Sequence, residues 1–350
     1  MADAVDRLSD LPDDLLRHVL HFTPTKEAAS TTALSRRWRP LWPTSSHTVN
    51  LDTRSHDATH GAGFSFPKRD AFLRCADAAL SAAAAAHHHH HHHGDHHGPV
   101  RRLTVHVEAG SHFTARMFTS LRGKHDLVAA VLAHPAARRG ENLRVSAAHT
   151  GQASVASSER DDDTALYKLN AGSLPSEALR SLHVVRGELI ASAAPSAVFP
   201  WLTRLRLEEC TASLHDLQAV IDAAPQLDVL HLENCSVFRS TAATTGSTTT
   251  TGGTTITCLR CPTVTVLVME KCRWVGWEEG HRVLIDMPRL RSQYVIIRLH
   301  PAARKAGQIA WFSTREDQTS PRPLTNIFSL PAAWFLYIIF LNSFHVCIVV

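Results

Sequence analysis

The sequence predicts an α+β multidomain chain, with a small all-α module at the N-terminus followed by an irregular α/β repeat solenoid. Three observations carry that expectation. Apolar residues between Leu8 and Leu20 recur at helical spacing. The phrase L-x-x-L-x-L-x-x-C begins at Leu202 and again at Leu227, 25 residues on, and a variant begins at Val264, 37 residues further. Between module and repeats lies a stretch that loses periodicity and ends in a run of histidines. The length of 350 residues suits about two domains, and 44% hydrophobic residues provide for a core. A net charge of +4 is too weak and too dispersed for nucleic acid, whose phosphates call for a concentrated stripe of Lys and Arg. Seven scattered cysteines make no disulfide framework and point to a reducing compartment.

The first helix places Leu8, Leu11, Leu15, Leu16, Val19 and Leu20 on one face. Ser9 or Asp10 is placed to cap it, Pro12 falls in the first turn, and Asp13 and Asp14 complement the positive end of the helix dipole. A second segment, 27–42, reads EAASTTALSRRWRPLW, a short helix followed by an aromatic anchor. So small a unit buries little surface alone, and its leftover apolar face suits a binding partner.

LSDLPDDLLRHVLHF followed by TTALSRRWRPLW resembles the F-box, the helical module that docks a Skp-type linker protein in cullin–RING ubiquitin ligases. The pairs Leu11-Pro12, Leu15-Leu16 and Val19-Leu20, and the turn Leu34-Ser35-x-Arg37-Trp38, fall where that family has them, while Thr23-Pro24 departs from its usual apolar continuation. The resemblance implies that Leu11, Pro12, Leu15, Leu16, Val19, Leu20, Leu34, Ser35, Arg37, Trp38, Leu41 and Trp42 form or support the linker-docking surface.

Residues 51–99 read as a linker holding an Ala-rich helix, Arg69 to Ala86, and the histidines 87–93. Imidazoles bind transition metals, but a metal site fixes its geometry through surrounding partners, which a homopolymer lacks, so the run reads as a spacer with no metal or cofactor assigned. Residues 100–292 carry the repeats. Weaker copies start at Val100 and Leu179, with Leu143 and Val145 between, and a Thr/Gly tract at 240–255 accounts for the longer interval before Val264. This is leucine-rich-repeat spacing: each repeat offers one short strand with inward leucines, backed by a helix such as Leu214 to Ala224, and buries its core only by stacking on neighbours. Cys210, Cys235 and Cys272 take the consensus Asn/Cys position and face the turn interior. Cys258-Leu-Arg-Cys261 lacks the second pair of a zinc site.

The order of F-box, spacer and irregular repeats is similar to the plant family of F-box proteins with leucine-rich repeats. AFLRCADAAL (71–80), FPWLTRLRLEEC (199–210) and MPRLRS (287–292) look like phrases of its grass members. Residues 293–350 depart from it. Their apolar segment, 327–350, has no formal charge and as a helix reaches about 36 Å, enough for a tail anchor. The alternatives are a buried element or an aberrant terminus. The acidic start MADAVDRLSDLPDD has no secretory signature, which favours cytoplasm or nucleus unless the tail is an anchor.

No nucleophile elbow, P-loop, dinucleotide-binding fingerprint or metalloprotease helix is present, and the Asp161–Asp163 run sits in a polar stretch. The expectation is a non-catalytic adaptor of a Skp–cullin–F-box ubiquitin ligase, in which the F-box recruits the linker and the repeats hold an unidentified target. A membrane-tethered scaffold without ubiquitin transfer is the alternative. Period-two alternation points Leu205, Leu207, Leu230, Leu232, Leu267 and Met269 inward. It then aligns Arg206, His231 and Val268 in one outward column and Glu208, Glu233 and Glu270 in the next. With Arg204, these residues form the expected target-facing surface, an acidic stripe suited to a basic segment.

Overall fold

The structure is a computed structural model. It describes residues 10–33, 35–39, 41, 47–56, 66–89, 100–109, 126–149, 167–191, 198–239, 248–251, 254–275, 281–289, 295–299, 309–313 and 347–348. The chain divides into two compact units, 1–165 and 166–350.

The first unit opens with α1 (Asp13–Phe22) and α2 (Thr25–Ser30), followed by a short 3-10 turn. Pro12 itself stands at the N-cap position with its φ at −57°, so α1 begins later than the hydrophobic period alone indicates and has no side-chain cap. The Leu15 and Leu16 amides instead donate to the Pro12 carbonyl at 3.0 and 3.1 Å. β1 (Thr48–Asp52), α3 (Phe66–His89), β2 (Arg102–Ala109), α4 (Leu127–Leu132), α5 (Pro135–Arg138) and β3 (Asn142–His149) complete the unit. β1, β2 and β3 pair in parallel in chain order.

The interval 51–99 is thus more than a linker. It begins inside a strand, and α3 buries Phe72, Ala76, Ala79, Leu80 and Ala83 along one face against α4 and α5. Small residues at helical spacing let these helices approach closely, a signal masked in the sequence by the alanine run that follows. α3 takes in the first three histidines of the run in its backbone, and the rest lie outside the described residues.

The second unit holds β4 (Tyr167–Asn170), β5 (Ser181–Val185), β6 (Gly187–Ile190), β7 (Arg204–Glu208), β8 (Thr211–Ser213), α6 (Leu214–Asp222), β9 (Val229–Glu233) and β10 (Ser236–Phe238). β11 (Thr248–Thr251), β12 (Thr254–Arg260), β13 (Val266–Val275), β14 (His281–Asp286), β15 (Val295–Leu299), β16 (Ile309–Ser313) and β17 (Cys347–Ile348) follow. One parallel run orders β5, β7, β9, β13 and β15, and a second orders β4, β6, β8, β10 and the end of β13. The Thr/Gly tract is not plain insertion: β11 folds back antiparallel on β12, which pairs in parallel with β14.

The chain turns from one run to the other at Arg186, Glu209, Asn234 and Lys271, all left-handed with φ between 51° and 57°. Such a conformation costs a non-glycine residue about 1–2 kcal/mol. An amide ladder offsets it: Arg186 N donates to Glu208 O at 2.9 Å, Glu209 N to Glu233 O at 2.8 Å, and Asn234 N to Glu270 O at 2.7 Å. Immediately after these corners the Cys210, Cys235 and Cys272 thiols are buried, donating to Val184 O at 3.4 Å, Leu207 O at 3.3 Å and Leu232 O at 3.4 Å. Gly187 holds the same place after Arg186, where a Cβ would meet Val184 Cγ1 at 2.9 Å.

Ser213 caps α6. Its Oγ accepts the Asp216 amide at 2.9 Å, and Asp216 Oδ1 accepts the Ala191 amide at 2.9 Å, tying the helix to the end of β6. Ser213→Ala is expected to cost about 0.5–2 kcal/mol, read as faster hydrogen exchange across α6. The Gln218 carboxamide accepts Arg260 N at 2.7 Å and donates to Arg260 O at 3.0 Å, seating the same helix on β12. Among the described residues no helix is long and apolar enough to cross a membrane; apart from Cys347–Ile348, the segment 327–350 lies outside them.

Candidate interaction surfaces

The twelve residues expected at the docking surface are divided by α1 into two sets. Leu16 and Leu20 turn inward and close a small core with Ala28, Trp38 and Leu41, against which Leu11 packs. They hold the surface in shape without being presented by it. Outward stand Leu15, Val19 and Phe22, 50%, 45% and 63% exposed, at i, i+4 and i+7. Pro12 and Ser35 are exposed as well, and Leu34 and Trp42 lie outside the described residues. Arg37 fixes the second half of the module to the first: its Nε donates to Asp13 Oδ1 at 2.9 Å, its Nη2 lies 2.7 Å from the same carboxylate, and it also donates to the Leu11 carbonyl.

Phe22 was not among the expected residues. The apolar period continues to it from Leu15 and Val19, but two histidines, His18 and His21, precede it and obscure the stripe. Their imidazoles meet its ring edge-on with centroids 5.1 Å away. A half-exposed stripe opposite a filled core is a feature that a monomeric helix hairpin has no need to keep.

On the second unit the two outward columns are in register: Arg206 pairs with His231 and His231 with Val268, and Glu208 with Glu233 and Glu233 with Glu270. The carboxylates do not stand as an open acidic stripe. His183 Nε2 lies 2.9 Å from Glu208, and Arg206 Nη2 lies 2.8 Å from Glu233 and 3.6 Å from Glu208. His231 Nε2 is 3.6 Å from Glu233. Burial, then the neighbouring Arg206, pushes the His231 pKa down against the pull of these carboxylates. The columns thus form a lattice of partly exposed ion pairs, and a double-mutant cycle on Arg206→Gln and Glu233→Gln is expected to give a coupling of about 0.2–1 kcal/mol, weakening with salt.

Three of the thiols are held protonated. Burial pushes Cys210 and Cys261 up to about 12, and it raises the half-buried Cys258, so none of the three is a thiolate near neutrality. Among the described residues no three His, Cys, Asp or Glu side chains are grouped to hold a metal ion.

Residues 8–48 match the F-box domain family. The chain is similar to plant proteins of that kind: 44% identical over 81 residues to the F-box/LRR-repeat protein At3g59200 of Arabidopsis thaliana, covering 22% of this chain and 14% of that one. It is 45% identical over 71 residues to the F-box/FBD/LRR-repeat protein At5g56420, covering 20% and 17%, and 57% identical over 44 residues to the putative F-box protein At5g40050, covering 13% and 11%, both of the same plant. The matches therefore span a quarter or less of the relatives' own lengths. No solved structure matches the chain. The N-terminal helical unit carries an F-box domain, and an α/β region with parallel sheets follows it. Plant F-box/LRR-repeat proteins are thus what the matched stretches of the chain are similar to.

Proposed function

We propose that the chain is the target-recognition adaptor of a Skp–cullin–F-box ubiquitin ligase. F-box domains generally bind Skp-type proteins in such complexes, and proteins that join an F-box to leucine-rich repeats generally act there as adaptors rather than enzymes. The observation that carries the reading is the outward stripe of Leu15, Val19 and Phe22 on a helix whose opposite face is already filled. This stripe, with Pro12, Ser35 and the turn that Arg37 fastens, receives the linker, backed by Leu11, Leu16, Leu20, Trp38 and Leu41. Leu34 and Trp42 join the set through the family resemblance.

Residues 100–292 act as a leucine-rich-repeat solenoid, a reading supported by strands that follow chain order and by the repeated left-handed corners with their buried cysteines. The strand face bearing Arg204, Arg206, Glu208, His231, Glu233, Val268 and Glu270 holds the target. Its three carboxylates outnumber its two permanent cations, which suits a basic segment that exchanges partners with the lattice. The contribution to ubiquitin transfer is proximity: the target is held at high effective concentration near the charged enzyme. Co-purification of the full chain with a Skp-type linker and a cullin tests the reading, and a chain that retains neither overturns it.

A further inference from the structure

The end of α1 is fastened to the N-terminal sheet through one imidazole. His21 Nδ1 lies 3.0 Å from Thr48 Oγ1 on β1, and His21 Nε2 lies 3.3 Å from Arg102 Nη1 on β2. A guanidinium has only N–H groups to offer, so Nε2 must present its lone pair. The ring proton then sits on Nδ1 and is donated to Thr48, and the ring is neutral in this arrangement. The His21 carbonyl accepts Asn50 Nδ2 at 2.7 Å, the same amide reaches Thr23 O at 3.3 Å, and Asn50 N donates to Thr25 Oγ1 at 2.9 Å. These contacts seat the junction of α1 and α2 on β1. The residue after His21 is Phe22, the most exposed member of the docking stripe, and the two rings touch edge-on.

We propose that His21 is a proton-operated clamp: when its ring takes a second proton, the Arg102 contact becomes repulsive, the end of α1 loosens from β1 and β2, and Phe22 loses its position. The effect on linker capture rests on the docking reading above; the clamp itself does not. Among the described residues, the charged or titratable groups acting on the ring are Arg102 from β2 and His18 from α1. β1 contributes neutral Thr48 and Asn50, and α2 neutral Thr25. Burial, then Arg102, then His18 oppose the second proton and lower the pKa of the ring. Since the folded value is the lower one, the unfolded chain binds more protons between the two. The contribution of the clamp is therefore complete above the unfolded value of about 6.5 and is lost as pH falls through the folded value.

The test uses the full chain at about pH 7.5 and about pH 5, either side of the imidazole range. Hydrogen exchange of the 19–23 amides, corrected for intrinsic rates, is expected to accelerate in acid several-fold more in the native chain than in His21→Gln. The glutamine carboxamide can keep both contacts but does not titrate. Ring nitrogen shifts are expected to show the Nδ1–H tautomer at neutral pH, and Arg102→Gln, an exposed substitution that leaves the core untouched, to raise the titration midpoint of the ring. Equal acid acceleration in the native and His21→Gln chains, an Nε2–H tautomer, or an unmoved midpoint overturns the clamp. Binding of a purified Skp-type linker in the same buffers separates the two readings. A chain that shows the clamp signature but binds no linker at either pH refutes the docking reading alone. Linker affinity that falls in acid for the native chain but not for His21→Gln supports the coupling, and equal affinities at both pH values overturn it.

Discussion

Replacing Leu15 and Phe22 together by aspartate is expected to abolish capture of the Skp-type linker while leaving the small core of the N-terminal module folded. Both side chains already face water, so neither substitution opens a cavity or places a charge among Leu16, Leu20, Trp38 and Leu41. In the complex the balance reverses. Apolar anchors at the centre of such an interface contribute about 2–4 kcal/mol each when truncated, and a carboxylate carried into the same place adds an unpaired buried charge. A loss of at least about 4 kcal/mol corresponds to roughly a thousand-fold weaker binding. Leu11→Ala with Pro12→Ala is a milder counterpart, expected to cost about 2–4 kcal/mol of binding, part of it through the N-terminus of α1 that Pro12 organises. Titration calorimetry with the linker measures the first quantity, and far-ultraviolet circular dichroism at the same concentrations checks that the helices persist. Undiminished binding by a folded double variant would mean that the stripe is not the docking surface.

Much of this surface is legible in the sequence because helical periodicity separates an inner from an outer face before any contact is known. The limit is that the period does not say which face a partner completes: Leu16 and Leu15 are adjacent, equally apolar, and end on opposite sides. Phe22 is harder still, since its place in the outward stripe depends on exposure. The strand phrases are legible for the same kind of reason, and alternation with period two places Leu205, Leu207, Leu230 and Leu232 in the core as expected. Three things are not legible. β1 is short and lies beside the helical module, so TVNLD carries too few turns of its pattern to stand out. The corners use Arg, Glu, Asn and Lys where a left-handed residue normally announces itself as glycine; the amides of Arg186, Glu209 and Asn234 are held by carbonyls of the next strand, a long-range contact. The ion-pair lattice depends on strand register, which sets Arg206 diagonally opposite Glu233 and so turns an expected acidic stripe into a paired one.

Leu230→Ala is expected to destabilise the repeat region by about 2–5 kcal/mol, while His231→Ala, one residue along, costs less than about 1 kcal/mol. Leu230 is wholly buried in β9, in register with Leu205 of β7 and Leu267 of β13, which are buried as well. Truncating it removes apolar surface and leaves a cavity whose walls are held by the backbone ladders of both neighbouring strands, so the site cannot collapse. His231 points to the other face, where its interaction with Glu233 is a partly exposed contact of small value. In the repeat array proposed above, where elements touch only their neighbours, the damage should stay local. Hydrogen exchange is therefore expected to quicken across β7, β9 and β13 in Leu230→Ala, with α1 and α2 unchanged and linker binding retained. Exchange that quickens more in His231→Ala than in Leu230→Ala would mean that the alternation, and with it the outward column assigned to the target, is displaced by one residue. Uniform acceleration across the chain would instead mean that F-box and repeats unfold as one cooperative body, and that the repeats stabilise the docking helix directly.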